Sequence, residues 1–233
     1  MKIKKLLFVF IKKLKKVLNS NGTEKKANLA EVISDETGIT TDVKNNLIDT
    51  PNNSRFIKKQ VINFWKESSN NTVKIGINFR FKDLRIDFKG NNNTLIIGDN
   101  VRWNGYILVV GNNRTVKIGN KTRAINVYIL SRNEDIIIGN KCLLSREIEI
   151  RTSDAHKIYC LESGQRLNDD KPVIIADRVW VAAKVIISKG SSVPRGCVIG
   201  AGSFVNKEFT EENVIIAGVP AKVVRRNIFW RRT

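Results

Sequence analysis

Aliphatic residues recur every six positions through the C-terminal part of the chain: Ile175, Val181, Ile187, Val193, Ile199 and Val205. Four residues after the first five of them stand Val179, Val185, Ser191, Cys197 and Ser203, each small or β-branched. Neither the 3.6-residue period of a helix nor the alternation of a flat strand produces this rhythm. A triangular coil does, with one hexad to each flat side and one aliphatic placed inside at each corner. Three such sides close one coil, and stacked coils give a parallel β-helix.

Upstream the spacing persists in Ile138, Leu144 and Ile150, in Ile118, Ala124 and Leu130, and in Ile97, Trp103 and Val109. Between these triplets the count is eight or nine. The surplus falls in polar runs such as Gly111-Asn112-Asn113-Arg114 and Ser131-Arg132-Asn133-Glu134. Asn and Gly adopt left-handed backbone at little cost, so one corner of each coil is predicted to bulge outward. A sandwich of short strands is the competing architecture, but it has no reason to hold a hexad register over several turns. The coil is predicted over residues 71–216, with a C-terminal tail at 217–233.

Residues 1–18 follow another pattern. Ile3, Leu7, Phe10, Leu14 and Val17 are spaced 4, 3, 4 and 3, one stripe of a helix, with lysines around it. The apolar run from Leu6 to Ile11 is too short to span a bilayer, and no small-residue cleavage site follows it. A basic amphipathic helix lying on an anionic membrane surface fits, each basic residue contributing roughly 1 kcal/mol there. A short coiled coil between subunits also suits the 4-3 spacing. Residues 19–53 are polar and read as a linker. Residues 54–70 are predicted to hold a helical cap over the open first coil, with Ser54 as N-cap and Phe56, Ile57, Val61, Phe64 and Trp65 on its apolar face.

Net charge changes the choice of partners. The 233-residue chain carries +19, of which the stretch 1–26, with nine lysines and one glutamate, supplies +8. No nucleic-acid module is visible, and aromatics are not interleaved with the basic residues as stacking platforms, so nucleic acid is not the expected partner. A phosphate-bearing cofactor, an acidic glycan and anionic lipid fit the charge better. The three cysteines, Cys142, Cys160 and Cys197, show no metal-ligand spacing, and no metal is expected. Cys142 and Cys197 occupy small-residue slots of the hexad, consistent with a reduced, cytoplasmic setting.

The segment Asp177-Arg178-Val179-Trp180-Val181-Ala182-Ala183, with Gly190, Gly196-Cys197-Val198-Ile199-Gly200-Ala201-Gly202-Ser203 and Gly218-Val219-Pro220-Ala221-Lys222, resembles the C-terminal signature of the hexapeptide-repeat acyltransferases. Thr152-Ser153-Asp154-Ala155-His156, a polar loop and then the Asp-x-Val-Trp element are similar to the branch that O-acetylates bacterial surface polysaccharides such as capsule or lipopolysaccharide. The resemblance covers roughly residues 95 to 226. It implies an all-β, left-handed parallel β-helix, a homotrimer with active sites between subunits, acetyl-CoA as co-substrate and a glycan acceptor. The left hand is an exception to the right-handed crossover rule and comes from the resemblance alone. Ala176 and Ala182 depart from the family's more usual corner glycines, and the basic N-terminal arm lies outside the shared fold.

One residue breaks the rhythm. His156, the only histidine, falls six positions after Ile150, where the register expects an aliphatic, and the rhythm resumes only at Val173 to Ile175. Residues 157–172 therefore leave the coil. An imidazole at the root of an excursion, with an ordinary pKa near 6.5, suits a general base that takes a proton from a hydroxyl and returns it to a departing thiolate. A structural histidine bonded at a corner is the plainer alternative. Asp154 is a candidate to orient the imidazole or contact the acceptor, and equally a surface carboxylate.

Ala183 and Ala201 are separated by three hexads, one full coil, so they stack, and their small side chains leave room for an extended pantetheine arm. The resemblance implies that these two, with Asn206, Lys207, Lys222 and Arg225, contact acetyl-CoA, and that Trp180 lies beside the acetyl-transfer site. Otherwise the alanines are tight corners, the basic residues are solvated, and Trp180 packs between subunits. Three functions stand at this point: O-acetylation of a bacterial surface glycan, N-acetylation of a nucleotide-linked amino sugar, and a non-catalytic glycan-binding scaffold.

Overall fold

The computed structural model describes residues 33–34, 39–51 and 61–232, all within the unit Val32–Thr233. The basic stripe at 1–18 and the N-terminal part of the predicted cap, residues 54–60, lie outside the described residues. Among the described residues every regular element is a β-strand, and the strands stack in parallel from coil to coil. The fold is the all-β, left-handed parallel β-helix that the hexads and the resemblance led to.

Three inward columns make the core. On the first side, Ile75, Ile97, Ile118, Ile138, Ile175 and Val193 lie in register. On the second, Trp103, Ala124, Leu144, Val181, Ile199 and Ile216 follow one another. On the third, Ile86, Ile107, Ile129, Ile150, Ile187 and Val205 do the same. All of these are buried in one cluster. Stacked aliphatics of similar size fill a prism at uniform cross-section, which is why the hexad spacing recurs.

The third column corrects one hexad. Counting six from Ala124 gives Leu130, whereas the structure turns Ile129 inward. The strand Arg123–Arg132 shifts register between Ala124 and Val127, and a slip by a single position sends the following side chains to the opposite face. Leu130 then pairs with Leu108 and Arg151 and lies outside the interior cluster.

Coil length falls along the chain. Val73, Leu95, Val116 and Ile136 pair in succession, and each step is one position shorter than the step before it. By Ile174, which pairs with Ser192, the coil has come down to three plain hexads. The longer coils spend their surplus at a polar corner. There the buried side chains of Asn46, Asn71 and Asn93 form a ladder: Asn46 Oδ1 accepts from the Asn71 N–H at 2.9 Å, Asn71 Oδ1 from the Asn93 N–H at 2.9 Å, and Asn93 Oδ1 from the Arg114 N–H at 2.9 Å. The amide nitrogens of Asn71 and Asn93 satisfy the Gly90 and Gly111 carbonyls, both at 2.9 Å. An outward bulge would otherwise strand these backbone groups, and side-chain amides supply the missing partners.

Two expectations at the N-terminal end are corrected. Within the predicted linker, Ile39–Thr41 and Leu47–Asp49 are strands, and Leu47–Asp49 pairs in parallel with Thr72–Ile75. Coil-type pairing thus begins before residue 71. Within the predicted helical cap, Ile62–Phe64 is a strand parallel to Leu84–Lys89. Its apolar spacing suits a helix, but the coil offers Phe64 a partner in Phe88, with ring centroids 5.2 Å apart, and tertiary packing decides. The C-terminal tail is also structured: Ile215–Gly218 and Ala221–Arg225 form an antiparallel hairpin.

Candidate active site

The strand Ile148–Arg151 leads into the site. After it Thr152 and Ser153 are still buried, and Thr152 Oγ1 donates to the Arg132 carbonyl at 2.9 Å. At Ala155 the backbone enters the left-handed region, φ 66°, and the chain leaves the wall. His156 is therefore exposed rather than placed in the inward slot that the hexad count assigns it. Among the described residues its imidazole has no hydrogen-bond partner, which leaves both ring nitrogens free for an incoming hydroxyl.

Residues 157–172 form the expected excursion, a small hairpin with Tyr159 bridged to Arg166. The Cys160 N–H donates to the Gln165 carbonyl at 2.8 Å and the Leu167 N–H to the Ile158 carbonyl at 2.8 Å. Its root is closed by the Lys171 N–H on the Thr152 carbonyl at 3.1 Å. Ile158, Tyr159, Leu161 and Leu167 are exposed along it.

Asp154 is engaged away from the imidazole. Its carboxylate is held by Lys189 Nζ at 2.5 Å and accepts from Asn168 Nδ2 at 3.0 Å. The hydrogen bond from Lys189 is the strongest influence on its titration. Burial opposes it, the Asn168 bond and the nearby positive charges reinforce it, and the Asp154 carboxyl is held below the usual carboxylate range. Neither Lys189 nor Asn168 stands out in the sequence: both lie well downstream of Asp154, and only the return of the excursion brings the three together.

Trp180 points outward from the second side, 38 % exposed, in the row of Leu143 and Val198. His156 follows the third side. Among the described residues no contact joins the two within one chain. Trp180 instead meets Trp230 of the C-terminal tail, a neighbour that no periodicity announces.

The residues expected along acetyl-CoA fall on the C-terminal coils. The turns of Ala183 and Ala201 do stack, as the Gly202 N–H donates to the Ala183 carbonyl at 3.0 Å, and Ala201 is exposed. Asn206 and Lys207 are exposed just beyond the strand Phe204–Val205, with Lys207 Nζ 5.3 Å from the ring centre of Phe209. Lys222 and Arg225 are exposed on the last strand. A depression of about 370 Å³ lined by Lys117, Ile137, Gly139, Ile174, Asp177 and Arg195 on the first side includes none of these residues.

With the stacked wall and the residues on it placed, the chain can be set beside proteins of known activity. The chain is 41% identical over 165 residues to a polysialic acid O-acetyltransferase of Neisseria meningitidis, covering 70% of this chain and 77% of that one. The chain belongs to the hexapeptide-repeat acyltransferases, in their bacterial polysaccharide O-acetyltransferase branch. A second polysialic acid O-acetyltransferase, from Escherichia coli O1:K1, is 35% identical over 141 residues, 60% of this chain but 43% of that longer protein. Among solved structures, the polysialic acid O-acetyltransferase OatWY matches with a TM-score of 0.67 at 36% identity, over 74% of this chain and 88% of its own. The polySia-specific acetyltransferase NeuO matches with a TM-score of 0.61 at 33% identity, over 75% and 84%. No family model matches the chain. The chain is thus an O-acetyltransferase by family, and the scaffold-only and N-acetyl readings lose ground to it.

Proposed function

We propose that this enzyme moves the acetyl group of acetyl-CoA to a sugar hydroxyl of an anionic bacterial surface polysaccharide, of the polysialic acid class on which its relatives act. The observation that carries the mechanism is the exposed, unpartnered imidazole of His156 at the root of the excursion. It takes the hydroxyl proton as the sugar oxygen attacks the thioester carbonyl carbon. The tetrahedral intermediate then collapses, the C–S bond breaks, and the imidazolium returns the proton to the CoA thiolate. The products are a sugar ester and free CoA, with no covalent enzyme intermediate, since holding the two reactants together supplies much of the acceleration.

In this reading the small turns of Ala183 and Ala201 admit the pantetheine arm, and Lys207, Lys222 and Arg225 face its phosphates. Trp180, on a different side of the coil from His156, reaches a site by sitting opposite the histidine of a neighbouring subunit, which makes a homotrimer with active sites between subunits the natural assembly. In the same reading the lysine-rich stripe of residues 1–18 holds the enzyme at the cytoplasmic face of an anionic membrane. Free-thiol release from acetyl-CoA, with and without polysialic acid, tests the activity. Wild-type chain should release CoA only with acceptor and yield an alkali-labile ester, whereas His156→Ala should lose at least about 100-fold of the rate, a typical general-base contribution. Full turnover by His156→Ala would exclude the proposed base.

A further inference from the structure

Asn168 lies where the excursion returns to the wall, and every polar atom of its side chain is engaged with the turn that carries His156. Its Oδ1 accepts the Ile158 N–H at 2.7 Å. Its Nδ2 donates to Asp154 Oδ2 at 3.0 Å and to the main-chain carbonyl of His156 at 2.8 Å. The orientation of this amide is dictated by its partners, because a flipped group would aim an acceptor at two oxygens and a donor at an N–H. The His156 N–H is taken as well, by the Asp154 carbonyl at 2.8 Å. Both main-chain polar groups of the histidine are thus fixed.

The turn is in turn fastened to the rigid coil by Lys189. This lysine follows the inward Ile187, and its side chain is 17% exposed. Its ammonium pairs with Asp154 and donates to the Asn168 carbonyl at 2.8 Å. A charge on the wall therefore holds the Asp154 carboxylate and the Asn168 carbonyl. These two residues in turn hold the histidine backbone, Asp154 through its main-chain carbonyl and Asn168 through its side-chain amide, while the imidazole itself stays free.

We propose that Asn168 is the positioning residue of His156, with Lys189 its anchor to the coil. The inference rests on the reading of His156 as general base. Asn168 touches neither substrate nor the reacting atoms. It acts by keeping the imidazole of an otherwise projecting loop at one height above the wall, and small misplacements of a base are costly in rate. This gives Asp154 a task as well: its carboxylate is the joint between Lys189 and Asn168, not a partner of the ring.

Steady-state kinetics of the full chain test this. Asn168→Ala should lower kcat about 10- to 100-fold, the usual effect of losing an outer-shell support, with the KM for acetyl-CoA within about twofold of wild type. The double variant Asn168→Ala with His156→Ala should be no slower than His156→Ala alone, because a residue that acts only through the histidine has nothing left to position. An unchanged kcat in Asn168→Ala, or a double variant slower by the full single-variant factor, overturns the proposal. If Asn168→Ala does not melt cooperatively, Lys189→Met asks the same question with the amide intact: a lower kcat at unchanged KM supports the anchor, and wild-type kcat rejects it. The base assignment fails separately, through His156→Ala retaining turnover.

Discussion

The indole of Trp230 lies tilted against that of Trp180, ring centroids 6.1 Å apart and planes at 49°, so a residue close to the end of the chain packs on the face where an acceptor site is expected. Trp230 is aimed by its Nε1, which donates to the Arg178 carbonyl at 2.9 Å. The tail that carries it is pinned on the way: the Ile228 N–H donates to the Asn213 carbonyl at 2.9 Å, Arg226 pairs with Glu211 at 2.6 Å, and the Arg178 guanidinium lies 5.7 Å from the ring centre of Phe229. The residues after the last strand thus form a strap that returns to the corner before Trp180.

Removing the Trp230 ring should loosen this strap. Trp230→Ala loses one hydrogen bond and one aromatic pair, about 1–3 kcal/mol together, read as a lower urea midpoint. Trp230→Phe keeps the ring pair and should lose about 1 kcal/mol. Acrylamide should quench the remaining tryptophan emission more efficiently in the alanine variant, since Trp180 is uncovered. An unchanged midpoint and unchanged quenching would mean that the strap is not seated in solution.

A second prediction concerns pH. On the outer side of the coil, Asp87 accepts from Arg85, from Asn63 Nδ2 at 2.9 Å and from the Tyr106 hydroxyl at 2.8 Å. Burial alone would raise the Asp87 carboxyl, but these three hydrogen bonds and the Arg85 charge outweigh it and hold the group below its ordinary value of 3.8. Burial first, and then its bond to Asp87, push the Tyr106 phenol up to about 12 from an ordinary 10.0. The carboxylate contribution is therefore complete above pH 3.8 and is lost as pH falls below it. The phenol contribution is complete below pH 10 and is lost between 10 and about 12. Melting temperature should drop at both ends. Tyr106→Phe should flatten the alkaline drop and also shrink the acid drop, because Asp87 loses one of the bonds that lower it and its folded-state value moves back toward 3.8. An alkaline limb identical to wild type in Tyr106→Phe would assign that limb to other groups.

A third prediction tests the polar corner. Asn93→Ala leaves the Arg114 N–H and the Gly111 carbonyl without their side-chain partner at a buried site, and should cost about 2–4 kcal/mol. Asn93→Asp keeps the acceptor but puts a carboxylate against the Gly111 carbonyl, so it should not restore stability. Chemical denaturation of the two variants measures both effects. A loss in Asn93→Ala of under about 0.5 kcal/mol, the scale of an ordinary surface substitution, would show that water replaces the ladder.

The core is legible in the sequence because a prism must place one aliphatic inside per side, and Ile175 to Val205 obey that without exception. Leu130 defeats the count because a slip by one position between Ala124 and Val127 changes no composition, only register. Phe64 defeats it because the spacing of Val61, Phe64 and Trp65 suits a helix as well as a strand, and the deciding partner, Phe88, sits on the neighbouring coil. At the site, His156 announces itself by breaking a rhythm, whereas Asn168 and Lys189 break none. They matter through where the excursion returns, which single-sequence spacing does not encode. Trp230 lies beyond the last hexad, so no period points to it.

The seam between coils yields the last prediction. Ala201 is exposed on a turn stacked one coil from Ala183, so enlarging it disturbs no packed neighbour and should change stability by less than about 0.5 kcal/mol. If the pantetheine arm lies along these turns, Ala201→Leu puts three extra carbons in its path. The KM for acetyl-CoA should then rise roughly tenfold or more, a loss of about 1.4 kcal/mol in binding, while the KM for the glycan stays put. Lys207→Ala, on the same coil but beyond the strand, should raise the same KM in a salt-dependent way, since its part is charge rather than shape. Ala201→Leu with an unaltered acetyl-CoA KM would move the donor to another surface of the coil and leave the role of Lys207 without its geometric support.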